Sequence, residues 1–407
     1  SAYAIGVRLV GSEMCIRDRA ILYDCPYPFI KGGGQKRLFE ISQYLLKHDW
    51  EVEWYALKFW EGPEKIRYKG ITFNAVGRKS KLYSSHGKRR IWETIYYGAM
   101  VARHMELRRF DIILAGQWPL FHLIPARFFC LIGQSKLVVD WWEVWGRDQW
   151  LKYFGLKGLL GLLLEKIMSR ITPNIIAITQ KGRDQLYDLG VIKDGVTFIP
   201  NGIDFEKILN SISKPNKFDL TYMGRLKCHK NLDHLIQVVS LLEKKGDSMT
   251  LQIIGDGPER KALEALVKEL NISENVVFHG EIESDIEAYS WMKTARIFVH
   301  PSTKEGGGSI TVLEANACGL PVVAYRHENG IANELIDEGM NGYWVEEIDP
   351  KAMGKKIHQL LLDESQGQKI KDNSIKNAEK HDWINIGKEY EDYFLKLLNN
   401  GRRYDQS

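Results

Sequence analysis

Cysteine is scarce in this chain of 407 residues, which contains five cysteines and no CxxC pair. The five are odd in number and far apart: Cys15, Cys25, Cys130, Cys228 and Cys318. That spacing excludes a disulfide framework and is unsuitable for a zinc site built from cysteine pairs. The pattern therefore predicts a protein of the reducing cytosol.

Long apolar runs are also missing, because no stretch reaches the roughly 18 apolar residues that a membrane-spanning helix needs. Neither charge sign is in large excess, since 56 Lys and Arg stand against 52 Asp and Glu, so no nucleic-acid partner is expected. Charge is unevenly distributed, with 27 basic and 17 acidic side chains over 20–200 but 26 and 33 over 201–407. The hydrophobic content of 44% excludes a disordered chain.

The first residues stand apart from the rest. The chain begins without Met, and its stretch VGSEMCIRDR looks like translated adaptor sequence. Residues 1–19 are therefore interpreted as a non-native leader and excluded from the fold prediction. A native strand over Ile5–Val10 is the alternative.

From residue 20 onward, short apolar runs alternate with amphipathic helical stretches, which is typical of α/β proteins with parallel sheets. The alternation lapses in the polar segment 201–217 and then resumes. We therefore predict two Rossmann-like, doubly wound domains over 20–203 and 204–382, with a helix over about 383–400 packing back on the first. Strands are predicted at 20–24, 50–57, 71–76, 111–115, 136–140, 174–179, 196–199, 218–223, 250–254, 276–279, 296–300, 321–324 and 343–345.

Ligands of parallel sheets bind beyond the carboxyl ends of the strands, so binding residues are expected in the loops that follow strands. After the first strand, Gly32, Gly33 and Gly34 precede an amphipathic helix. Glycine amides at a helix N-terminus favour an anion such as phosphate. The loop lacks the GxGxxG spacing of a dinucleotide site, which disfavours nicotinamide chemistry. A flexible helix-entry loop is the alternative.

Charged residues follow two strands of the second half. Arg225 and Lys230 come after the strand at 218–223, where the two cations can clamp a pyrophosphate. Glu305 precedes a second glycine run after the strand at 296–300, and Glu314 lies in the next helix, where a carboxylate can bind a ribose diol. As alternatives, the charged residues could be solvated surface groups and the glycines could serve tight turns. These explanations suit each feature alone but account poorly for their combination.

Five blocks of sequence resemble retaining glycosyltransferase family 4, also described as glycosyl transferases group 1. They are GGGxxR at 32–37, PNGID at 200–204, GRLxxxKN at 224–231, IIGDGPE at 253–259 and PSTKEGGGSITVLEANACGLPVV at 301–323. The resemblance covers residues 20 to about 400. It implies the GT-B fold, in which two Rossmann-like domains face each other across a cleft that binds a nucleotide sugar.

The resemblance also implies roles for single residues. Arg225 and Lys230 would hold the donor pyrophosphate, Glu314 the ribose, and Glu305 would lie against the transferred sugar. The catalytic residues implied are Glu305, Arg225 and Lys230. The donor-binding residues implied are Gly33, Gly34, Arg225, Lys230, Ile282, Gly307, Gly308, Ser309 and Glu314, with the base near Glu281 and Ile282.

Two departures from the family pattern are visible. Eight residues separate Glu305 from Glu314, where the family has seven. After KLVVD, Trp142 occupies the position at which relatives often carry a sugar-contacting His. Asp140 and Glu143 are the alternative residues for that role on the acceptor or sugar side.

The expected activity is that of a metal-independent, retaining hexosyltransferase. Its donor would be a nucleotide-diphosphate sugar and its acceptor a hydroxyl of a glycan, glycolipid or cell-envelope polysaccharide. No cofactor or metal is expected, because no Asp-x-Asp pair is present to hold a nucleotide-bound cation. A sugar-nucleotide epimerase of the same fold and an inactive nucleotide-sugar-binding protein are the alternatives.

A basic segment over Arg78–Arg90 predicts peripheral contact with an anionic membrane on its cytoplasmic face, because it carries six Lys or Arg and no carboxylate. The tryptophans of DWWEVWGRDQW belong to a residue type that favours the membrane interface. Apolar residues then recur at helical spacing and are expected to form a core stripe. They are Leu156, Leu159, Leu160, Leu163, Leu164 and Ile167.

Overall fold

A computed structural model describes residues 17–80, 90–133, 135–305, 308–362 and 364–402. By its internal contacts the chain divides into two compact units. The first contains residues up to 115, 121–137 and those from 397 onward, and the second contains 116–120 and 138–396. Residues 1–16 of the predicted leader lie outside the described residues, and residues 17–19 are described.

The first unit contains a sheet and three helices. In chain order these are β1 (Arg17–Leu22), α1 (Gly33–Leu46), β2 (Trp50–Lys58), β3 (Lys65–Tyr68), β4 (Ile71–Arg78), α2 (Ile91–Val101), β5 (Ile112–Gly116) and α3 (Leu123–Gly133). The strand order is β3-β4-β2-β1-β5. All of these pairs are parallel except β3–β4. β5 is buried along its whole length, which explains its continuous apolar sequence.

The first unit differs from the prediction in two respects, the start of β1 and the presence of β3. β1 begins at Arg17, three residues before the predicted domain start, and its register with β2 runs from that residue. β3 was not predicted, because its sequence KIRY is exposed or half-buried at every position and contains no apolar run.

The second unit opens with short parallel strands in the order β6-β7-β8. Its first elements are β6 (Lys136–Trp141), α4 (Gly146–Phe154), α5 (Gly158–Met168), β7 (Ile175–Ala177), α6 (Gln180–Asp188), β8 (Val196–Phe198) and α7 (Phe205–Leu209). Helix α7 lies inside the polar segment where no element was predicted. Its residues Phe205 and Ile208 are buried, so two apolar anchors suffice for this short helix.

A six-stranded parallel sheet and its helices follow in the second unit, except that the end of the last helix, from residue 397, belongs to the first unit. The elements of this sheet and its helices are β9 (Phe218–Met223), α8 (Leu232–Glu243), β10 (Leu251–Ile254), α9 (Arg260–Glu269), β11 (Val276–Gly280), α10 (Asp285–Met292), β12 (Ala295–His300), α11 (Ile310–Ala317), β13 (Val322–Tyr325), β14 (Gly342–Val345), α12 (Pro350–Leu362), α13 (Glu364–Glu379) and α14 (Trp383–Arg402). The strand order is β11-β10-β9-β12-β13-β14. That is the doubly wound order, with its switch point between β9 and β12.

The predicted α/β class with two parallel-sheet domains is confirmed, and the six strands of this last sheet lie within one residue of their predicted bounds. Both faces of the sheet are covered. On one face α8 buries Leu235, Ile236 and Val239, and on the other α11 buries Val312 and Leu313. The domain boundary at residue 203 and the return of the last helix to the first domain stay predictions.

The orientation of α5 contradicts the predicted core stripe. Five of the six predicted stripe residues face solvent and Leu164 is half-buried, whereas Trp141 and Trp150, expected at an interface, are buried. The exposed residues are Leu156, Leu159, Leu160, Leu163 and Ile167. Within the described ranges, no helix is both long and apolar enough to cross a membrane.

Candidate active site

The candidate site lies at the carboxyl edge of the six-stranded sheet, where β9 and β12 are neighbours. Ile297 pairs with Leu220 and Phe298 with Thr221, so the two parallel strands end at the same edge. The loops that follow them therefore meet. The amide of Thr303 donates to the carbonyl of His229 over 3.3 Å.

Lys230 and Glu305 form an ion pair between these two loops. The Lys230 ammonium donates to Glu305 Oε1 over 2.5 Å, and the two side chains are only 15% and 11% exposed. Asn231 holds the loops together, since its amide nitrogen donates to the carbonyl of Pro301 and to Thr303 Oγ1. The pair thus connects two predicted site residues that are 75 positions apart.

His300, the last residue of β12, adds a buried imidazole beside this pair. Its Nε2 lies 3.5 Å from Glu305 Oε1 and 2.8 Å from the hydroxyl of Ser309. Burial lowers the pKa of His300 to about 4, so the ring is neutral at neutral pH. Burial alone would raise the pKa of Glu305, but neighbouring positive charge outweighs burial and lowers it, and while the His300 ring is neutral that charge comes from the Lys230 ammonium. Glu305 is therefore a carboxylate.

Arg225 and Lys227 make the same edge strongly positive. Both side chains are exposed, and Arg225 makes no ion pair with any residue that the structure describes. Burial, followed by the charges of Arg225 and Lys230, lowers the pKa of Lys227. The charges of Arg225, Lys227 and Lys230 repel one another, so this edge suits an anionic ligand.

Glu314 is held by a partner that the sequence analysis did not identify. The Tyr289 hydroxyl on α10 donates to Glu314 Oε1 on α11 over 2.8 Å. Burial, and then the neighbouring Glu314, raise the pKa of Tyr289, which keeps its hydroxyl protonated as a donor. No motif pointed to Tyr289, because its role depends on the packing of α10 beside α11.

The glycine loop before α11 is described from Gly308 onward, and Gly307 lies outside the described residues. Gly308 has a φ of +85°, a left-handed conformation that favours glycine. A Cβ at this position would lie 3.3 Å from Thr179 Cγ2, so the backbone approaches α6 closely. Ser309 takes the N-cap position of α11, at the predicted helix start.

The three residues predicted for the acceptor or sugar side lie around Gln117, which follows β5 and was not predicted. The backbone amides of Trp142 and Glu143 donate to Gln117 Oε1, and Gln117 Nε2 donates to the carbonyl of Glu143. The Glu143 carboxylate accepts from Trp145 Nε1 over 2.8 Å, whereas Asp140 is fully buried in β6. Gln117 therefore sets the path of the chain after β6.

The remaining predicted donor residues lie at the ends of other elements. Gly33 and Gly34 begin α1, and a Cβ at Gly33 would meet no atom within 4 Å, so internal packing does not require glycine there. Ile282 follows β11 and packs against the core beneath it. Among the described residues, no group of three or more His, Cys, Asp or Glu is placed to hold a metal ion.

Comparison with known proteins matches nearly the whole chain to two family models. Residues 31–207 match the model described as Glycosyltransferase Family 4, and residues 204–381 match Glycosyl transferases group 1. An uncharacterized glycosyltransferase of Methanocaldococcus jannaschii is 26% identical over 61% of this chain and 64% of that protein. The capsular polysaccharide biosynthesis glycosyltransferase CapM of Staphylococcus aureus is 29% identical over 55% of this chain and 62% of that protein.

The match to these curated relatives thus spans less than two thirds of their length. Among solved structures, HepE of Anabaena in complex with UDP superposes with a TM-score of 0.71. That superposition covers 93% of this chain and 100% of HepE at 17% sequence identity, which supports the GT-B fold. The two family models match consecutive parts of the chain and together cover residues 31–381. The chain therefore belongs to the family 4, group 1 glycosyltransferases of GT-B fold.

Proposed function

We propose that this chain transfers a hexosyl unit from a nucleotide-diphosphate sugar to a hydroxyl of a glycan or glycolipid, with retention of configuration and without a metal ion. Support comes from the family, from CapM, whose name places it in capsular polysaccharide synthesis, and from HepE, which binds UDP. The comparisons give no support to the epimerase or to the inactive binding protein.

The observation that carries the proposal is the Lys230–Glu305 pair at the switch point, together with Arg225, which is exposed after the same strand and forms no ion pair with any residue that the structure describes. When the donor bond at C1 breaks, negative charge builds on the leaving pyrophosphate. Arg225 and Lys230 would stabilise that charge more strongly in the transition state than in the ground state. Each charge-assisted hydrogen bond of this kind contributes roughly 1.5 to 3 kcal/mol.

The carboxylates would have separate roles in this proposal. Glu305, kept ionised by its ion pair with Lys230, would lie against the transferred sugar. Glu314, oriented by Tyr289, would accept hydrogen bonds from the ribose diol. The acceptor oxygen would attack C1 on the face that the leaving group vacates and give its proton to a phosphate oxygen. The proposed reaction therefore needs no covalent nucleophile.

Metal independence is the part of the proposal that is easiest to test. It is supported by the cations at the switch point, which can balance pyrophosphate charge, and by the lack of an Asp-x-Asp pair. Full activity is expected in the presence of EDTA. Activity that EDTA abolishes and Mn²⁺ restores would contradict it.

The test of the function is incubation of the purified chain with a panel of labelled nucleotide sugars, UDP-sugars first because HepE binds UDP. Release of nucleotide diphosphate is measured with and without candidate acceptors, and NMR gives the anomeric configuration of the product. Transfer with retention supports the proposal. Interconversion of the donor indicates an epimerase, binding without turnover indicates an inactive protein, and an inverted product contradicts retention.

A further inference from the structure

Helix α5 and the turn before it carry an exposed apolar face. Leu156 is 84% exposed, Leu160 72%, Leu163 54% and Ile167 52%. Their spacing of three and four residues places them on one side of the helix. We name these four residues the leucine face, and we propose that it docks on an anionic lipid bilayer.

The opposite side of α5 is fixed against the protein by Glu165. Its buried carboxylate accepts from the backbone amides of Trp145 and Gly146, over 2.8 and 3.0 Å, and from Trp150 Nε1 over 2.9 Å. These three bonds tie α5 to the start of α4 and to the Trp150 indole. Rotation of α5 to bury the leucines would leave a carboxylate and three donors without these partners, at a large cost.

Two glycines make the same side of α5 close-packed. A Cβ at Gly158 would lie 2.1 Å from the carbonyl oxygen of Trp150, and a Cβ at Gly161 would lie 2.1 Å from its ring. Only glycine leaves room for the backbone and indole of Trp150 here. The leucine face is therefore outward as a consequence of what the inner side binds.

The charge around the leucine face favours an anionic surface. Between residues 146 and 170 the exposed charged side chains are five cations and one carboxylate, because Glu165 is buried. They are Arg147, Asp148, Lys152, Lys157, Lys166 and Arg170. An apolar helix face bordered by Lys and Arg is the pattern of helices that lie in the interface of anionic bilayers.

The same charge disfavours a second copy of this chain as the occupant. A two-fold symmetric interface brings each patch against itself, so the cations of one copy would face those of the other. Like charges placed opposite each other weaken association. Lipid phosphates instead supply negative charge next to an apolar interior.

Sedimentation of the full chain with lipid vesicles tests this surface without donor or acceptor, so its outcome is independent of the proposed transferase activity. Binding is expected with vesicles of phosphatidylglycerol and phosphatidylcholine, to be weakened by high salt, and to be much weaker with phosphatidylcholine alone. Replacing Leu156 and Leu160 together by Ser should lower the partition coefficient about tenfold or more. The matched control is Ile192→Ser with Ile212→Ser, which are 73% and 84% exposed elsewhere and should not change it.

A second variant keeps the test independent of any loss of folding. Lys157→Glu with Lys166→Glu leaves the leucines in place and should reduce binding to anionic vesicles at low salt, with thermal melts confirming that each variant folds. The proposal is overturned if the wild-type chain fails to bind these vesicles at low salt, or if the leucine variant binds as the wild type does. It is equally overturned if the wild type is a dimer that the leucine variant dissociates, since the face would then join two copies.

Discussion

Lys230 and Glu305 show how single residues prepare the site before any ligand binds. Without an anion present, Glu305 is the counterion of Lys230, and burial of both groups strengthens their attraction. A pyrophosphate bound at Arg225 would compete for the same ammonium. In the proposed reaction the carboxylate would then become available for the sugar, which would couple donor binding to the alignment of Glu305 through one lysine.

Replacing either cation by Ala should lower kcat/KM by roughly 10-fold to 150-fold, because each variant loses a charge-assisted bond to the leaving group. The variants are Arg225→Ala and Lys230→Ala, measured in steady-state assays with a saturating acceptor. Lys244→Ala is the control, because this lysine is exposed and follows the far end of α8, and it should change kcat/KM less than about threefold. An Arg225 or Lys230 variant with near-normal kcat/KM would show that the residue is an ordinary surface charge with no role in the reaction.

The Tyr289 hydroxyl should matter for donor affinity rather than for turnover. Tyr289→Phe removes the hydrogen bond that orients Glu314, and a bond of that kind is worth about 1 kcal/mol. The KM for the donor should rise about 5-fold while kcat changes little, because the proposed ribose contact of Glu314 would be the same in the ground and transition states. A variant that loses kcat at unchanged KM would show that Glu314 does not act through the ribose.

At the scale of elements, the order of strands brings the site together and helix contacts decide which faces are exposed. The loops after β9 and β12 meet because these strands are neighbours at the switch point. The rotation of α5 about its own axis has a different cause. It follows from Glu165 and the two glycines, which bind α4 on the inner side of the helix.

The contact between α4 and α5 makes a stability prediction. Gly158→Ala should destabilise the protein by about 1 to 3 kcal/mol, because the added Cβ would collide with the Trp150 carbonyl. The gain of up to about 1 kcal/mol that Ala usually brings to a helix would offset only part of this. Gly354→Ala in α12 is the control, since a Cβ there would lie 3.6 Å from Val238 and should be neutral or stabilising. Urea unfolding of both variants measures the difference, and equal midpoints would contradict the packing argument.

At the scale of the whole molecule, the buried His300 makes folding depend on pH. Its pKa falls from an ordinary 6.5 to about 4 because burial disfavours the charged ring. Between these two values the unfolded chain binds a proton that the folded chain does not. The contribution of His300 to the free energy of unfolding is therefore fully present above pH 6.5 and is lost as the pH falls to about 4. The lowered pKa of Glu305 acts in the same direction at still lower pH.

The urea midpoint should accordingly fall as the pH decreases from 6.5 to 4, by the equivalent of up to about 3 kcal/mol from His300. His300→Asn removes the titrating ring and should flatten that part of the profile, although it lowers stability at neutral pH. His234→Asn, at a half-buried position outside the site, is the comparison and should keep the slope. A His300 variant with the wild-type slope would show that other groups cause the acid sensitivity.

The sequence by itself determined the α/β class, the strands of the second sheet, the positions of Arg225, Lys230 and Glu305 after strand ends, and that of Glu314 within helix α11. These follow from local patterns, since apolar runs, glycines and motif spacing are read along the chain. Tertiary structure alone decided the partners: His300 and Lys230 for Glu305, and Tyr289 for Glu314. It also decided that the leucine stripe, predicted to be buried, faces solvent. Periodicity shows that a helix has an apolar side, but it does not show which side packs against neighbouring elements. In α5, three hydrogen bonds to one buried carboxylate and two close glycine contacts outweigh the burial of leucine, and no local pattern contains that comparison.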